Sequence, residues 1–233
     1  MKLDILHTLN VERAARRAVV VVTRVEDGEQ RIVKASEIAR DALRDVIEKR
    51  LRMAKSGMED TAEGRVFLTV HVPSARLVIT GAVHISQALA PMATLVGYDV
   101  TIVDPRTAFA SLERFPDVKL IAEWPDAALP PLNIDHYTAF VALTHDPKID
   151  DPALLHALQR ECFYIGALGS RKTHGRRIDR LKQAGIPEAA VARIHAPIGL
   201  AIGAVSPAEI AVSILAEITQ SLRVKTETAA VAA

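Results

Sequence analysis

The sequence is poor in the residues on which several classes of protein depend. Its 233 residues include one cysteine, Cys162, which excludes a disulfide framework and a cysteine-based metal cage. Aromatic residues make up only 4% of the chain, too few to provide stacking platforms for nucleic-acid bases. Charge is nearly balanced, with 29 lysines and arginines against 28 aspartates and glutamates, whereas nucleic-acid-binding domains usually carry a large positive excess. Disulfide-rich domains are therefore excluded, and no nucleic-acid partner is expected.

Long apolar runs are also absent. The run around Val19–Val22 is far shorter than the roughly 20 residues of a membrane-spanning helix. Asp4 and His7 interrupt the region in which an export signal would be continuously apolar. We therefore expect no membrane partner and a cytoplasmic location. No histidine pair has zinc spacing and no Gly-x-Ser-x-Gly elbow occurs, so the sequence indicates no metal site and no catalytic residue.

What the sequence does contain is a regular alternation of strands and helices from Ala75 onward. The residues before Ala75 suggest a small unit without evident chemistry: a hairpin signal at Asp27-Gly28, a helix pattern over Ser36–Ser56 and an apolar strand. From Ala75 onward, the alternating apolar strands and helices are typical of a parallel sheet covered on both faces. We predict a small α+β unit over 1–74, a doubly wound α/β domain over 75–222 and a flexible tail over 223–233.

The first strand-to-helix turn of the predicted sheet has part of a nucleotide-binding pattern. Gly81 follows the strand, but Val83 and Ser86 stand where the second and third glycines of a dinucleotide fingerprint belong. Asp104 ends the next strand, close to the ~20 residues at which a ribose-binding acid is expected. Two interpretations remain open: a nucleotide phosphate binds here, or Gly81 only makes the turn and Asp104 caps its own loop.

Two further strand ends carry polar residues. His145, in Thr144-His145-Asp146, could act as an acid, a base or a ligand, or could simply be a hydrogen-bonded loop residue. The segment Gly166–Arg171 combines two glycines, a hydroxyl and an arginine at a helix start, which favours anion binding. A basic run follows over Arg171–Lys182 and is either a solvated helix face or a site for an anion or acidic partner. Cys162 lies in an apolar strand, which is more typical of a core residue than of a reactive thiol.

Several segments together resemble one specific family. They are Gly81–His84, Val103–Arg106, Leu143–Asp146, Tyr164–Arg171, His195–Leu200 and Ser206–Ala211. In this order, over about residues 75–220, they resemble the C-terminal Rossmann domain of the XdhC/CoxI family, whose members are accessory factors for maturation of xanthine dehydrogenase and carbon monoxide dehydrogenase. The resemblance therefore implies a Rossmann-like fold for residues 75–222 and a chaperone rather than an enzyme.

The resemblance also implies a cofactor, partners and a site. The cofactor is the molybdenum cofactor, molybdopterin or its dinucleotide form, which is bound transiently, helped to acquire its terminal sulfur and passed to the large subunit of a molybdenum hydroxylase. Further candidate partners are a cysteine desulfurase and a separate small protein supplying an N-terminal module. An exposed strand edge in the small N-terminal unit would, independently of the resemblance, favour pairing with a second copy in a homodimer. The implied cofactor-binding residues are Gly81, Ala82, Val83, His84, Asp104, Arg106, Thr144, His145, Gly166, Gly169, Ser170 and Arg171.

The sequence departs from the family pattern in two places. Val83 replaces a glycine in the first turn, so we predict that NAD(P) binds weakly. Residues 1–74 contain no cysteine, whereas the family's usual N-terminal module has a Gly-Gly-Cys-type motif, so sulfur transfer would depend on a partner. Alternative functions are an NAD(P)-dependent oxidoreductase with His145 as acid or base, a methyltransferase, and a regulatory module. The regulatory module either binds a nucleotide in the same crevice or has a vestigial crevice and docks a partner through the basic helix.

Overall fold

The chain folds into two compact units. A computed structural model describes residues 2–62 and 64–224. One unit ends at Pro73 and the other begins at Ser74. Most of the predicted flexible tail, residues 225–233, lies outside the described residues. Within the described ranges, no helix has both the length and the apolar character needed to cross a bilayer.

In the described residues of the first unit, an antiparallel sheet is accompanied by two α-helices. Its strands follow the order β2-β1-β4-β3, and the predicted hairpin is confirmed by the antiparallel pairing of β1 with β2. Ile47, Val20 and Leu68 are among the buried residues of its own core. The elements are α1 (Leu3–Ala14), β1 (Val19–Arg24), β2 (Gln30–Lys34), α2 (Arg44–Met53), β3 (Gly57–Thr61) and β4 (Gly64–His71).

The helix predicted over Ser36–Ser56 is too long. Helix α2 begins only at Arg44, because the Asp41 carboxylate holds the residues just before it in a non-helical loop. That carboxylate accepts hydrogen bonds from the backbone N–H of Leu43, at 2.9 Å, and from both terminal nitrogens of Arg31. Helix α1 and strand β3 have no counterpart in the sequence prediction.

The second unit is the predicted doubly wound α/β domain. All six strands are parallel, in the order β10-β9-β8-β5-β6-β7, which confirms the Rossmann-like fold. The strands are β5 (Arg76–Thr80), β6 (Asp99–Val103), β7 (Lys119–Ile121), β8 (Thr138–Ala142), β9 (Tyr164–Ala167) and β10 (Ile194–His195). The helices are α3 (His84–Leu95), α4 (Pro125–Ala128), α5 (Pro147–Gln159), α6 (Arg171–Gln183), α7 (Glu188–Val191) and α8 (Pro207–Arg223).

Helices cover both faces of this sheet because alternate residues of each strand point to opposite sides. On one face, Leu77 and Ile79 of β5 belong to a buried cluster with residues of α3 and α8. On the other face, Val78 of the same strand and Phe140 of β8 belong to a cluster with residues of α5, α6 and α7. The result is a helix–sheet–helix sandwich with two cores.

The strand order reverses between β5 and β8, and the loops after these strands lie against each other. Gly81, with φ +114°, allows this approach: a Cβ on Gly81 would lie 3.0 Å from the Thr144 Cγ2 and 3.3 Å from the Leu143 carbonyl carbon. Ligands of open α/β sheets bind at such a switch point, beyond the carboxyl ends of the strands. The fold therefore assembles the predicted site residues along one edge of the sheet.

Candidate functional site

Asp104 holds together two loops at the carboxyl edge of the sheet. Its side chain is fully buried and accepts hydrogen bonds from the backbone N–H groups of Ala82, at 2.8 Å, and Arg106, at 2.9 Å. The Arg106 guanidinium adds two more, from Nε at 2.9 Å and from Nη2 at 2.7 Å. Burial alone would raise the pKa of Asp104, but these hydrogen bonds outweigh it and lower the pKa. Asp104 is thus an ionised carboxylate whose acceptor positions are filled from within the protein.

Ser86 performs a similar task in the first turn. Its hydroxyl oxygen accepts a hydrogen bond from the backbone N–H of Val83 at 2.8 Å and lies 2.5 Å from the carbonyl oxygen of Gly81. Arg114 closes the turn from the other side by donating to the carbonyl oxygen of Ala82 at 2.9 Å. The N–H groups of Ala82 and Val83, which would face a pyrophosphate in a complete fingerprint, are both engaged by the protein's own side chains.

The other sequence-predicted residues occupy distinct positions along this edge. His84 and Arg171 are exposed as the first residues of α3 and α6. Ser170 is the cap of α6, and its hydroxyl accepts from the backbone N–H of Thr173 at 3.2 Å. Gly166 serves packing, since a Cβ there would lie 2.5 Å from the Ile198 Cδ1. Of this group, His84, Ser170 and Arg171 are exposed, and Gly166 is buried.

A polar pocket of about 160 Å³ lies between the loop after β8 and helix α6. His145 reaches it from a loop position with a left-handed φ of +62°. On the far side, Gly169 takes a φ of +134°, and a Cβ there would lie 3.9 Å from the His145 Nδ1, so the loops after β8 and β9 meet here. The residues that line the pocket are His145, Pro147, Asp150, Asp151, Thr173, Arg176, Arg177 and Arg180.

Two oppositely charged residues of this pocket are buried and only partly hydrogen-bonded. Asp150 is 1% exposed and Arg177 is 2% exposed, with 3.9 Å between the Asp150 Oδ2 and the Arg177 Nη2. Asp150 Oδ1 accepts from the Thr144 hydroxyl at 2.7 Å, and Arg177 Nη2 donates to the carbonyl oxygen of Leu168 at 2.9 Å. The Asp150 Oδ2 and the Arg177 Nε and Nη1 have no hydrogen-bond partner among the described residues. Leaving one such atom unpaired costs about 1–3 kcal/mol, more for a charged group, so these atoms suit a bound polar molecule.

Burial shifts both ionisations in this pair. It raises the pKa of Asp150, although the hydrogen bond from Thr144 and the charge of Arg177 act in the opposite direction. It lowers the pKa of Arg177, although Asp150 and Asp151 favour its charge. Each shift is what desolvation does to a charged group, and perturbed buried pairs of this kind are common at functional sites.

The basic run on α6 is neither a uniform solvated face nor a free cationic patch. Arg180 forms a two-pronged ion pair with Asp151, with an Nη2–Oδ1 distance of 3.1 Å, and Lys182 lies 3.0 Å from Glu188. Arg177 is buried, so the interpretation of this residue as part of a solvent-exposed face is wrong. Arg176 is exposed at the rim of the pocket.

Asp150 is a site residue that the sequence prediction misses. The sequence predicts that the helix after β8 starts at Asp151, but α5 starts at Pro147, with the Asp146 side chain accepting from the backbone N–H of Lys148 at 2.9 Å. This extra turn places Asp150 inside the helix and under the loop. The signal in the sequence is the cap itself, an Asp directly before a Pro, which is typical of a helix start.

A second polar cluster joins β9, β10 and α8. Glu217 Oε2 accepts from the Tyr164 hydroxyl at 2.6 Å and from the backbone N–H of Gly199 at 2.8 Å, while the His195 Nδ1 lies 3.1 Å from Oε1. Burial raises the pKa of Tyr164; hydrogen bonds from His195 and Tyr164 outweigh burial and lower the pKa of Glu217. Glu217 is therefore the ionised partner and ties three segments together. No motif points to it, since it lies 22 residues after His195.

The single cysteine does not take part in either cluster. Cys162 is 1% exposed, and burial raises the pKa of its thiol to about 12. This confirms the interpretation of Cys162 as a core residue rather than a reactive thiol. Within residues 2–62 and 64–224, no group of histidine, cysteine and carboxylate side chains has the arrangement of a metal site.

The chain is similar to proteins of molybdenum enzyme systems. It is 33% identical over 150 residues to a probable xanthine dehydrogenase subunit of Bacillus subtilis strain 168, covering 64% of this chain and 43% of that protein. It is 34% identical over 146 residues to the molybdenum cofactor insertion chaperone PaoD of Escherichia coli K12, covering 63% of this chain and 40% of that protein. The chain thus spans less than half the length of these curated relatives.

A solved structure and a family model indicate the same group of proteins as these relatives. A crystal structure described as a xanthine dehydrogenase from Bacillus halodurans matches 96% of this chain and 66% of its own, with a TM-score of 0.65 and 25% identity. The family model of the XdhC Rossmann domain matches residues 77–218, within the second unit and including both polar clusters. The chain therefore belongs to the XdhC family, as the sequence predicted.

Proposed function

We propose that this protein is an accessory factor for a molybdenum hydroxylase of the xanthine dehydrogenase or carbon monoxide dehydrogenase type. It binds the molybdenum cofactor at the carboxyl edge of its parallel sheet and helps to insert it into the hydroxylase large subunit. The observation that carries this proposal is the polar pocket with its buried, incompletely hydrogen-bonded Asp150 and Arg177. The name of the relative PaoD, an insertion chaperone, supports the same role.

The residues of the pocket fit a pterin cofactor. A pterin has N–H donors and a carbonyl acceptor, and the cofactor also has a phosphate. The pocket offers a free acceptor on Asp150, free donors on Arg177 and a positive charge on Arg176 at the rim. Asp150, Arg177, Thr173 and Arg176 are therefore the residues proposed to hold the cofactor. The cofactor supplies molybdenum redox chemistry to the hydroxylase, while these side chains bind and orient it.

Sulfuration of the cofactor is proposed to need a partner. The one thiol of the chain, Cys162, is buried and has a raised pKa, so little thiolate is present near neutral pH. A cysteine desulfurase, acting directly or through a separate small protein, would bring the terminal sulfur to the cofactor. The role of this chain in that step is to hold the cofactor where the partner reaches it.

The alternative in which the turn between β5 and α3 binds NAD(P) is disfavoured by geometry. The Ala82 N–H donates to Asp104 and the Val83 N–H donates to Ser86, so a pyrophosphate would meet occupied donors. The valine side chain is thus not the main obstacle. Calorimetric titration with NAD is expected to show no tight binding, either to the native protein or to Val83→Gly, and tight binding by the native protein would contradict the proposed function.

Cofactor retention and transfer test the proposal. The full chain is purified gently from cells that make the molybdenum cofactor and from matched cells whose cofactor synthesis is blocked. We expect molybdenum and an oxidised pterin product, measured by mass spectrometry and fluorescence, only in the first preparation. Mixing that preparation with a cofactor-free hydroxylase should restore hydroxylase activity. Absence of pterin from the first preparation, or equal restoration by both preparations, would overturn the proposal.

A further inference from the structure

We infer that the pocket between α5 and α6 recognises the 2-amino-4-oxo edge of a pterin. Asp150 accepts a hydrogen bond from the 2-amino group, and Arg177 donates to the 4-oxo oxygen. This inference rests on the proposed function and deepens it, because it states which part of the cofactor enters the pocket and which protein atoms form hydrogen bonds with that part.

The free hydrogen-bonding atoms define the kind of group that fits. Asp150 Oδ1 is held by the Thr144 hydroxyl, which leaves Oδ2 as the acceptor, and Arg177 Nη2 is held by the Leu168 carbonyl, which leaves Nε and Nη1 as donors. A ligand that satisfies both sides must present donor and acceptor groups side by side along one edge. The 2-amino-4-oxopyrimidine edge has this pattern, with the 2-amino and N3–H groups as donors and the 4-oxo oxygen as acceptor, and it occurs in pterins and in guanine.

The charges of the pocket favour an uncharged edge over a bare phosphate. Three arginines, Arg176, Arg177 and Arg180, face two carboxylates, Asp150 and Asp151, so the positive charge is largely compensated. Arg180 is already paired with Asp151. A phosphate bound to Arg177 would also approach the free Oδ2 of Asp150, a like charge with little solvent to screen it. An amino group in that place is instead a donor to the carboxylate.

The size of the pocket agrees with part of a cofactor rather than a whole one. Its volume of about 160 Å³ is below the ~300–1,000 Å³ of pockets that enclose drug-sized ligands. A ring edge can enter, while the phosphate-bearing remainder stays outside, on the side where Arg176 is exposed. This arrangement keeps the anionic part of the cofactor away from Asp150.

Four small probes separate the possible ligands. Binding of pterin, lumazine, GMP and inorganic phosphate to the full chain is measured by equilibrium dialysis. Lumazine is the matched analogue, because it has an oxo group where pterin has the 2-amino group and thus turns an acceptor toward Asp150. We expect pterin to bind at least about tenfold more tightly than lumazine, since a mismatched analogue leaves a buried polar group unpaired.

Two variants assign the effect to Asp150. D150N keeps the shape of the side chain, removes its charge and is expected to reduce the pterin preference over lumazine by at least about tenfold. D151N is the matched control, because it removes the same charge from the next residue. The Asp151 carboxylate is already paired with Arg180 and is not proposed to contact the pterin. Pterin binding by D151N should equal that of the native protein. Thermal unfolding of each variant verifies that it is folded, and the pterin–lumazine comparison on the native chain needs no variant.

The possible results decide for or against the inference. Equal binding of pterin and lumazine, an unchanged preference in D150N, or binding of phosphate alone would overturn it. Binding of GMP without binding of pterin would also overturn it, because the edge would then come from a nucleotide. If D150N retains molybdenum cofactor as well as the native protein does, the inference and the assignment of Asp150 as a cofactor-binding residue both fail, while the proposed role as an accessory factor stands. If the native chain retains no cofactor, the proposed function itself fails.

Discussion

The carboxylate of Asp104, at the edge of this sheet, binds the protein's own backbone and an arginine. Asp104 stands where a ribose-binding acid is expected in a dinucleotide site, yet its hydrogen bonds go to Ala82 and Arg106. It acts as a positioning residue that joins the loop after β5 to the loop after β6. Any effect of Asp104 on cofactor retention is therefore expected to pass through the shape of these loops.

Replacing Asp104 by Asn should lower the free energy of unfolding by about 2–3 kcal/mol at neutral pH, because Arg106 loses a buried charged partner. The pKa of Asp104 in the folded protein lies below its ordinary value of 3.8. The stabilisation is therefore complete above about pH 4 and is lost as pH falls through the lowered folded pKa. Urea unfolding at a series of pH values should show the two proteins converging in acid. A difference that stays constant into the acid range would contradict this assignment.

Gly166 is expected to be required for packing rather than for binding. Gly166→Ala should destabilise the protein by about 1–3 kcal/mol, because the added methyl group overlaps Ile198 and the Tyr164 hydroxyl. Gly175→Ala is the control, since a Cβ there meets nothing within 4 Å and alanine favours the helix by about 1 kcal/mol. The two variants should shift the thermal midpoint in opposite directions. Equal shifts would refute the packing role.

At the scale of elements, α6 places a charged side chain where a helix usually places an apolar one. Arg177 and Leu181, four residues apart, form the buried side of this helix, while most other residues of the basic run face solvent. Arg177 can be buried there because α5 presents Asp150 opposite it. The pocket is thus a consequence of pairing these two helices, each with one buried charge.

Neighbouring arginines of α6 should respond very differently to charge reversal. Arg177→Glu should cost about 3–5 kcal/mol of stability, because it leaves two carboxylates buried side by side. Arg176→Glu, on the exposed side, should change stability by no more than about 0.5 kcal/mol. Denaturant unfolding of both variants measures the difference. A native-like midpoint for Arg177→Glu would show that the side chain is not buried in solution.

The sequence allowed the secondary structure around the pocket to be predicted in outline, but not the pocket. The alternation of strands and helices predicted the loops that carry His145 and Gly169, because parallel strands direct their carboxyl ends to one edge. Arg177 could not be separated from the basic run, because its burial depends on a carboxylate from another helix. The sequence does not predict Asp150, because its pattern places the N-terminal turn of α5 in the preceding loop.

At the scale of the whole molecule, each unit has a core of its own. The buried cluster of the first unit is built from residues such as Val20, Ile47 and Leu68, and the two clusters of the second unit lie on the faces of the parallel sheet. A unit of about 150 residues with two such cores is within the usual size of an independent domain. Most of its residues match the XdhC Rossmann domain.

A shortened chain of residues 74–224 is expected to fold without the first unit. Circular dichroism should show mixed helix and strand content, and heating should give one cooperative transition, because the apolar contacts of both sheet faces are retained. The full chain, measured alongside, provides the reference spectrum. A shortened chain without cooperative unfolding would mean that the parallel sheet depends on residues 1–73.

The sequence by itself determined the fold class and the family. Apolar periodicity and turn residues are local properties, so they predict a parallel α/β domain, and the motifs along residues 75–220 identify XdhC relatives. Only the tertiary structure decided which polar residues are free to bind a ligand. Asp104 is filled by Arg106, whereas Asp150 and Arg177 meet from different helices with hydrogen-bonding atoms to spare. Partners across a fold depend on distances that residue order does not record.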